Sequence, residues 1–295
     1  MSEDFEMLAR QVALRLRRLR GAHDTQYVRL GTAPPLLAAQ AVQERGGVPV
    51  QAGEQPIPGG RSQHASERRA VKSVDAQAAL RSQAENWSAA TKLEYLRKKN
   101  VGDCRRCGLC QTRTNIVFGS GNAETRIMFV GAAPDADEDR AGALFVGRSG
   151  KLFDGWISDL GMSRGDVYIA NVLKCRTPEN RDPRTDEVER CSPFLRAQIR
   201  AIRPAVVVGL GRHAGGVLSR RQDMSIGAMR GARLEYDATS PKEAPRSVVI
   251  PLVVTYDPAY LLRQNGSDET DAAGVVMTDL RRALDIAQQD VRGTP

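Results

Sequence analysis

Four short apolar runs constrain the fold of this chain more than any other feature: Ile127–Gly131, Val167–Asn171, Ala205–Leu210 and Val248–Val254. Each is a continuous apolar stretch closed by a turn-forming or polar residue, the pattern of a strand buried on both faces. Helical patterns near 149–160, 185–202 and 212–219 lie among them, and a last one covers about 269–289. Strand and helix in alternation predict an α/β fold. The expected architecture is a three-layer α-β-α sandwich around a central four-stranded, mostly parallel sheet.

The order does not extend over the whole chain. Residues 1–20 carry Phe5, Leu8, Val12, Leu16 and Leu19 among several arginines, which predicts a basic amphipathic helix. Residues 21–85 are rich in Ala, Gln, Gly, Pro and Ser and read as a flexible linker. A helix at about 88–99 opens the ordered domain, 86–295, and 41% hydrophobic residues over the 295 suffice for its core. The balance of 43 Lys+Arg against 35 Asp+Glu gives +8. That charge suits a polyanionic partner and equally a merely solvated basic surface. The extension at 1–85 offers a contact to DNA or to a protein. No apolar run is long enough to span a membrane and no leader pattern opens the chain, so the expected location is cytoplasmic.

The first apolar run feeds the stretch with the densest chemistry. After Gly131 come Pro134 and the acidic group Asp135, Asp137, Glu138 and Asp139; Phe145-Val-Gly follows, and a helix is expected to start near Ser149 with that serine as its cap. In open α/β sheets ligands bind at such carboxyl ends of strands. On residue type alone Phe145 is equally a core aromatic and Asn171 equally a strand-end turn former.

The cysteines stand at 104, 107, 110, 175 and 191. Clustering in a cytoplasmic chain favours metal over disulfides. A zinc ribbon uses two close pairs, whereas Cys175 and Cys191 are far apart; close ligands followed by distant single ones favour an iron-sulfur cluster. Free buried thiols are the alternative.

Taken together, Cys104-Arg-Arg-Cys107, Gly131-Ala-Ala-Pro-Asp135, Gly142-Ala-Leu-Phe-Val-Gly147, Ala170-Asn-Val-Leu-Lys-Cys-Arg176, Asn180-Arg181, Cys191 and Asp257-Pro-Ala-Tyr-Leu-Leu-Arg263 resemble, in order, the motifs of the family-four, iron-sulfur uracil-DNA glycosylases. The resemblance covers about 86–289. It implies a DNA-repair hydrolase that takes uracil, or a related damaged base, out of DNA and cuts its N-glycosidic bond. It further implies a structural 4Fe-4S cluster on Cys104, Cys107, Cys175 and Cys191, with Cys110 spare, and by likeness a monomer.

Within that resemblance Phe145 stacks on the flipped base, Asn171 reads the uracil O4 and N3–H edge, and the backbone at Gly131 and Ala132 adds contacts. Leu261 or Leu262 is the wedge that fills the vacated stack. Arg263 and Arg148, with Lys151, Arg176, Arg181 and Arg212, are candidates for phosphate. The chain departs from the family pattern at two positions: the Glu of the first loop is Ala132, and the His of the last loop is Asp257. Asp257 and Asp135 are therefore the candidate catalytic carboxylates. The alternative is a catalytically weak or silent relative that binds DNA without excision.

Overall fold

The computed structural model describes residue 84 and residues 86–239, 249–263 and 269–292, all within the compact unit Arg61–Pro295. The helix expected at 1–20 and the linker after it, up to 83, lie outside the described residues.

A short helix, α1 (Ala89–Tyr95), starts at Ser88, whose hydroxyl accepts the Thr91 N–H, and runs into a wider π-helical turn at Leu96–Val101. The sheet is built from β1 (Ser120–Gly121), β2 (Ile127–Gly131), β3 (Tyr168–Asn171), β4 (Val206–Leu210), β5 (Leu234–Asp237) and β6 (Val249–Thr255), in spatial order β1-β3-β2-β4-β6-β5. The four expected strands form its parallel centre: Gly131 stands opposite Asn171, Phe129 opposite Val208, and Leu210 opposite Thr255. The sheet is six-stranded and not four, because β1 and β5 add to its edges antiparallel. Neither has an apolar run: β1 is two exposed residues, and β5 turns only Tyr236 fully inward. Short, polar edges of this kind discourage pairing with another chain.

Between the strands lie α2 (Ala136–Ala141), α3 (Gly147–Asp159), α4 (Thr185–Ile202), α5 (Gly211–Ser219), α6 (Ile226–Gly231), α7 (Pro258–Leu261) and α8 (Glu269–Arg292). Helix α3 begins two residues before Ser149, and no side chain caps it. The chain reverses there through Phe145 and Gly147, both at positive φ, and that reversal replaces the expected serine cap.

Alternation along each strand splits the core in two. Met128 and Val130 of β2 point with Val207 and Val254 toward Phe194, Leu195 and Ile199 of α4, Leu218 of α5 and Met229 of α6. Ile127 and Phe129 point with Val206, Val208 and Val253 toward Phe153, Trp156 and Ile157 of α3 and Val276, Leu280 and Ala283 of α8. Two helical layers therefore cover a sheet buried on both faces, as runs of Val and Ile require. No helix among the described residues is long and apolar enough to cross a membrane.

One buried carboxylate joins the cysteine-bearing segment to this frame. Asp139, on α2, accepts the N–H groups of Thr114 (2.9 Å) and Asn115 (3.1 Å), and the Asn115 carboxamide donates to the Asp139 carbonyl at 2.8 Å. Three bonds to backbone ends hold the loop after Cys110 beside the start of the site.

Candidate active site

The carboxyl ends of β2, β3, β4 and β6 lie side by side, and each delivers one part of the site. At the end of β2, Gly131 faces Asn171 at the end of β3. A Cβ on Gly131 would collide with the Asn171 side-chain oxygen and would stand 3.8 Å from Cζ of Phe145. Only glycine therefore lets the Asn171 carboxamide and the Phe145 ring converge at this point. Asn171 is 2% exposed, and among the described residues no protein group hydrogen-bonds its carboxamide. Its backbone is pinned instead: the carbonyl accepts Lys174 Nζ at 2.7 Å, and Lys174 also donates to Gln198 Oε1 at 2.6 Å.

Phe145 sits at φ 48°, a conformation that costs a non-glycine residue about 1–2 kcal/mol. Its surroundings hold it there. Arg164 donates to the Leu144 carbonyl at 2.9 Å and to the Phe145 carbonyl at 2.5 Å, while its Nε binds Asp154 at 2.6 Å. A Cβ on Gly150 would clash with the same Phe145 carbonyl, so the small residue makes room for it. The ring lies parallel on Phe153, centroids 4.7 Å apart. Sequence reading found Phe145 and missed Arg164, which is distant in sequence and belongs to no motif.

The acidic loop is organised by a reciprocal cap that sequence reading also missed. Asp135 Oδ1 accepts the N–H groups of Asp137 and Glu138, both at 2.9 Å, and the Glu138 carboxylate accepts the Asp135 N–H at 3.0 Å. The spacing Asp-x-x-Glu ahead of a helix is its sequence signature. The other Glu138 oxygen takes the Phe145 N–H at 2.5 Å, so one buried side chain joins the acidic loop to the aromatic. Burial pushes the Glu138 carboxyl up to about 7, against the pull of those two N–H donors and helped by the nearby charges of Asp135 and Asp257.

Asp257 caps α7, accepting the Ala259 N–H at 2.7 Å, and packs against Gly211 at the end of β4. Burial raises its pKa; the Ala259 N–H and the Arg263 charge oppose that shift, and Asp135 adds to it. The structure thus brings Asp135, Glu138 and Asp257 into mutual electrostatic contact. Ala132 stands beside them half-buried, its carbonyl bonded to the Leu173 N–H.

The DNA-contact candidates divide. Arg148, Lys151, Arg212 and Arg263 are exposed. Arg181 is committed to Glu187 through two contacts, at 2.9 and 2.5 Å, whereas Arg176 gives only its Nε–H to the neutral Asn180 carboxamide and keeps its charge. Leu261 is 3% exposed and packs in the core with α8, and Leu262 is half-buried.

Cys104, Cys107, Cys175 and Cys191 line one small cavity between the segment before β1 and the start of α4; Cys110 does not. Arg113 reaches Cys175 Sγ at 3.5 Å and the Cys104 carbonyl at 2.7 Å, and the Lys174 N–H reaches Cys191 Sγ at 3.3 Å. Burial pushes the Cys175 thiol up to about 11, opposed by Arg113, and raises that of Cys191. Among the described residues no three His, Cys, Asp or Glu side chains are placed to hold a single metal ion.

Glu138 makes stability depend on pH. Its folded pKa lies above the unfolded value of about 4.5, so between about pH 4.5 and 7 the folded state holds a proton that the unfolded state has released. Stability therefore falls as pH rises through that window. Urea titrations at pH 5 and pH 8 should show wild type losing about 2–3 kcal/mol relative to Glu138→Gln across the interval.

Comparison with known proteins accounts for this arrangement. The model of the uracil DNA glycosylase superfamily matches residues 118–281. The chain is 42% identical over 163 residues to a type-4 uracil-DNA glycosylase of Archaeoglobus fulgidus, covering 54% of this chain and 82% of that protein. It is 39% identical over 192 residues to one of Thermotoga maritima, covering 65% and 93%. With one of Saccharolobus solfataricus it shares 47% identity over 135 residues, 44% of this chain and 62% of that protein. The matched region runs from just before the sheet to the last helix and includes Gly131, Phe145, Asn171 and Asp257, and the chain belongs to the uracil DNA glycosylase superfamily, alongside its type-4 members.

Proposed function

We propose that this chain is a DNA-repair hydrolase that removes uracil from DNA, cutting the N-glycosidic bond of a flipped-out nucleotide and leaving an abasic site. The observation that carries this reading is the convergence of an unengaged, buried Asn171 carboxamide and the Phe145 ring on the Cβ-free face of Gly131. A flat base entering there stacks on Phe145. Its O4 and N3–H meet the amide donor and the oxygen acceptor of Asn171, a pairing that thymine shares and cytosine does not. The backbone at Gly131 and Ala132 closes the inner end of the pocket.

Bond cleavage builds negative charge on the leaving uracil and positive charge on the sugar. Burial shifts Asp257 toward its protonated form, and a protonated Asp257 would donate to uracil O2 in the place where the family pattern has His. Asp135 has one oxygen committed to its helix cap. The second oxygen is left to orient water and face the sugar cation, in the place of the Glu replaced by Ala132. Arg148, Arg212 and Arg263 are assigned to DNA phosphates, and residues 1–85 to a further contact with DNA or a protein. The chain acts as a cytoplasmic monomer.

Cys104, Cys107, Cys175 and Cys191 would hold a 4Fe-4S cluster. Four thiols lining one cavity suit a cluster that takes four cysteine ligands. The bound group supplies a covalent tie between the segment before β1 and that after β3. Arg113 and the Lys174 N–H stabilise the thiolates that ligation requires.

The test is an excision assay on a labelled oligonucleotide with one uracil, followed by alkaline cleavage of abasic sites. Wild type should cut, and Asn171→Ala should cut at least about a hundredfold more slowly. Binding without cutting in wild type, with cutting restored by Ala132→Glu plus Asp257→His, would instead make the chain a silent uracil-DNA binder. For the cluster, purified protein should contain about four irons and as much labile sulfide. Cys107→Ser and Cys191→Ser should lose colour and unfold at lower temperature, while Cys110→Ser keeps both.

A further inference from the structure

The loop that follows Asp257 exposes an aromatic where leucines were expected to act. Val249 and Tyr260 are the large apolar side chains exposed among the described residues, and Tyr260 lies three residues from Asp257, beside the exposed Arg263. The Tyr260 ring is 40% exposed and is not a loose side chain. It lies parallel on Tyr256, centroids 5.3 Å apart and planes 11° apart. The Arg230 guanidinium sits 5.1 Å over the Tyr256 ring. That guanidinium is fixed in turn by Asp279 of α8 at 2.6 Å, and Asp279 also takes the Thr255 hydroxyl at 2.8 Å. A cation, a half-buried ring and an exposed ring thus form an ordered ladder rooted in β6 and α8, which ends at the rim of the site.

We infer that Tyr260 is a nucleobase-stacking platform, and that its occupant is a base of the DNA strand next to the extruded nucleotide. The inference rests on the reading that the chain works on DNA, and deepens it. Several observations favour this occupant. One face of Tyr260 is covered by Tyr256, which orients the ring and lowers the entropy lost when a base adds to the stack. The neighbouring cation, Arg263, suits the phosphate that accompanies a base. Helix α7 positions the ring rigidly, since the N–H groups of Tyr260 and Leu261 both bond to the Asp257 carbonyl and Leu261 is anchored in the core. Stacking on an aromatic is tolerant of sequence, as a repair protein that meets its base in any context requires. The role differs from that of a wedge, because the platform accepts the face of a base and does not merely fill a gap.

The test measures binding by fluorescence anisotropy to two labelled oligonucleotides of one sequence. One carries a 2′-fluorinated uracil nucleotide that resists cleavage, and the other carries cytosine at that position. Tyr260→Ala should weaken binding to the uracil strand about tenfold, as loss of one stacked base does. Tyr260→Phe, which keeps the ring, should stay within about twofold, and Tyr260→Leu, which keeps apolar bulk without a flat face, should lose nearly as much as Tyr260→Ala. Wild-type affinity in Tyr260→Ala, or in Tyr260→Leu, overturns the proposal. Failure of wild type to prefer uracil over cytosine would count against the base pocket and not against the platform, because the Tyr260 series is read on both strands. Thermal unfolding of the variants should match wild type, as expected at an exposed position.

Discussion

The Glu138 carboxylate is the interaction on which the site depends. One oxygen closes the cap with Asp135 and the other receives the Phe145 N–H, so a single side chain fixes both a candidate catalytic carboxylate and the ring proposed to stack on the base. The geometry has an electrostatic cost: the group is buried near two other carboxyls, and its pKa rises to about 7. The two N–H donors keep that shift from going further. A strained Phe145 backbone would relax without such support, and Arg164 supplies the remainder by holding the carbonyls on either side of the Phe145 Cα. The aromatic is thereby oriented in advance, which would remove an ordering cost if a base stacks on it.

The same logic accounts for the sheet. Four parallel strands end together, and the turns after them bring Gly131, Asn171, Gly211 and Asp257 to one edge although they are up to 126 residues apart in the chain. The cysteine cavity lies against one face of this frame and the Phe145–Phe153 stack against the other. Lys174 joins the two sides: its ammonium bonds the carbonyl of Asn171, while its own N–H meets Cys191. The segment that would hold the cluster therefore also positions the residue that would read the base.

Much of this was legible from sequence. The central strands declared themselves because a run such as Val206–Leu210 has no polar residue and can only be buried on both faces. Gly131, Phe145, Asn171 and Asp257 stood in ordered motifs. The edge strands were not legible, since Ser120–Gly121 carries no apolar pattern and takes its conformation from pairing with β3. The burial of Leu261 was not legible for a related reason: an apolar residue in a short turn gives no period from which to tell core from surface, and only packing against α8 makes it core. Arg164 acts on backbone carbonyls, which leave no trace in the residue types they belong to. Glu138 was readable, because Asp-x-x-Glu before a helix is a cap signature, but its second bond, to Phe145, required the fold.

The chemistry turns on whether Asp257 serves as a proton-bearing donor or as a carboxylate. The direct measurement is the single-turnover rate of uracil excision from about pH 5 to 9 for wild type and for Asp257→Asn, which preserves the cap to Ala259 and carries a permanent N–H donor. A protonated donor predicts that the wild-type rate falls as pH rises through the elevated pKa of Asp257, while Asp257→Asn stays active with a flatter profile. An inactive Asp257→Asn beside a wild type whose rate rises with pH would contradict the account and make Asp257 an ionised base.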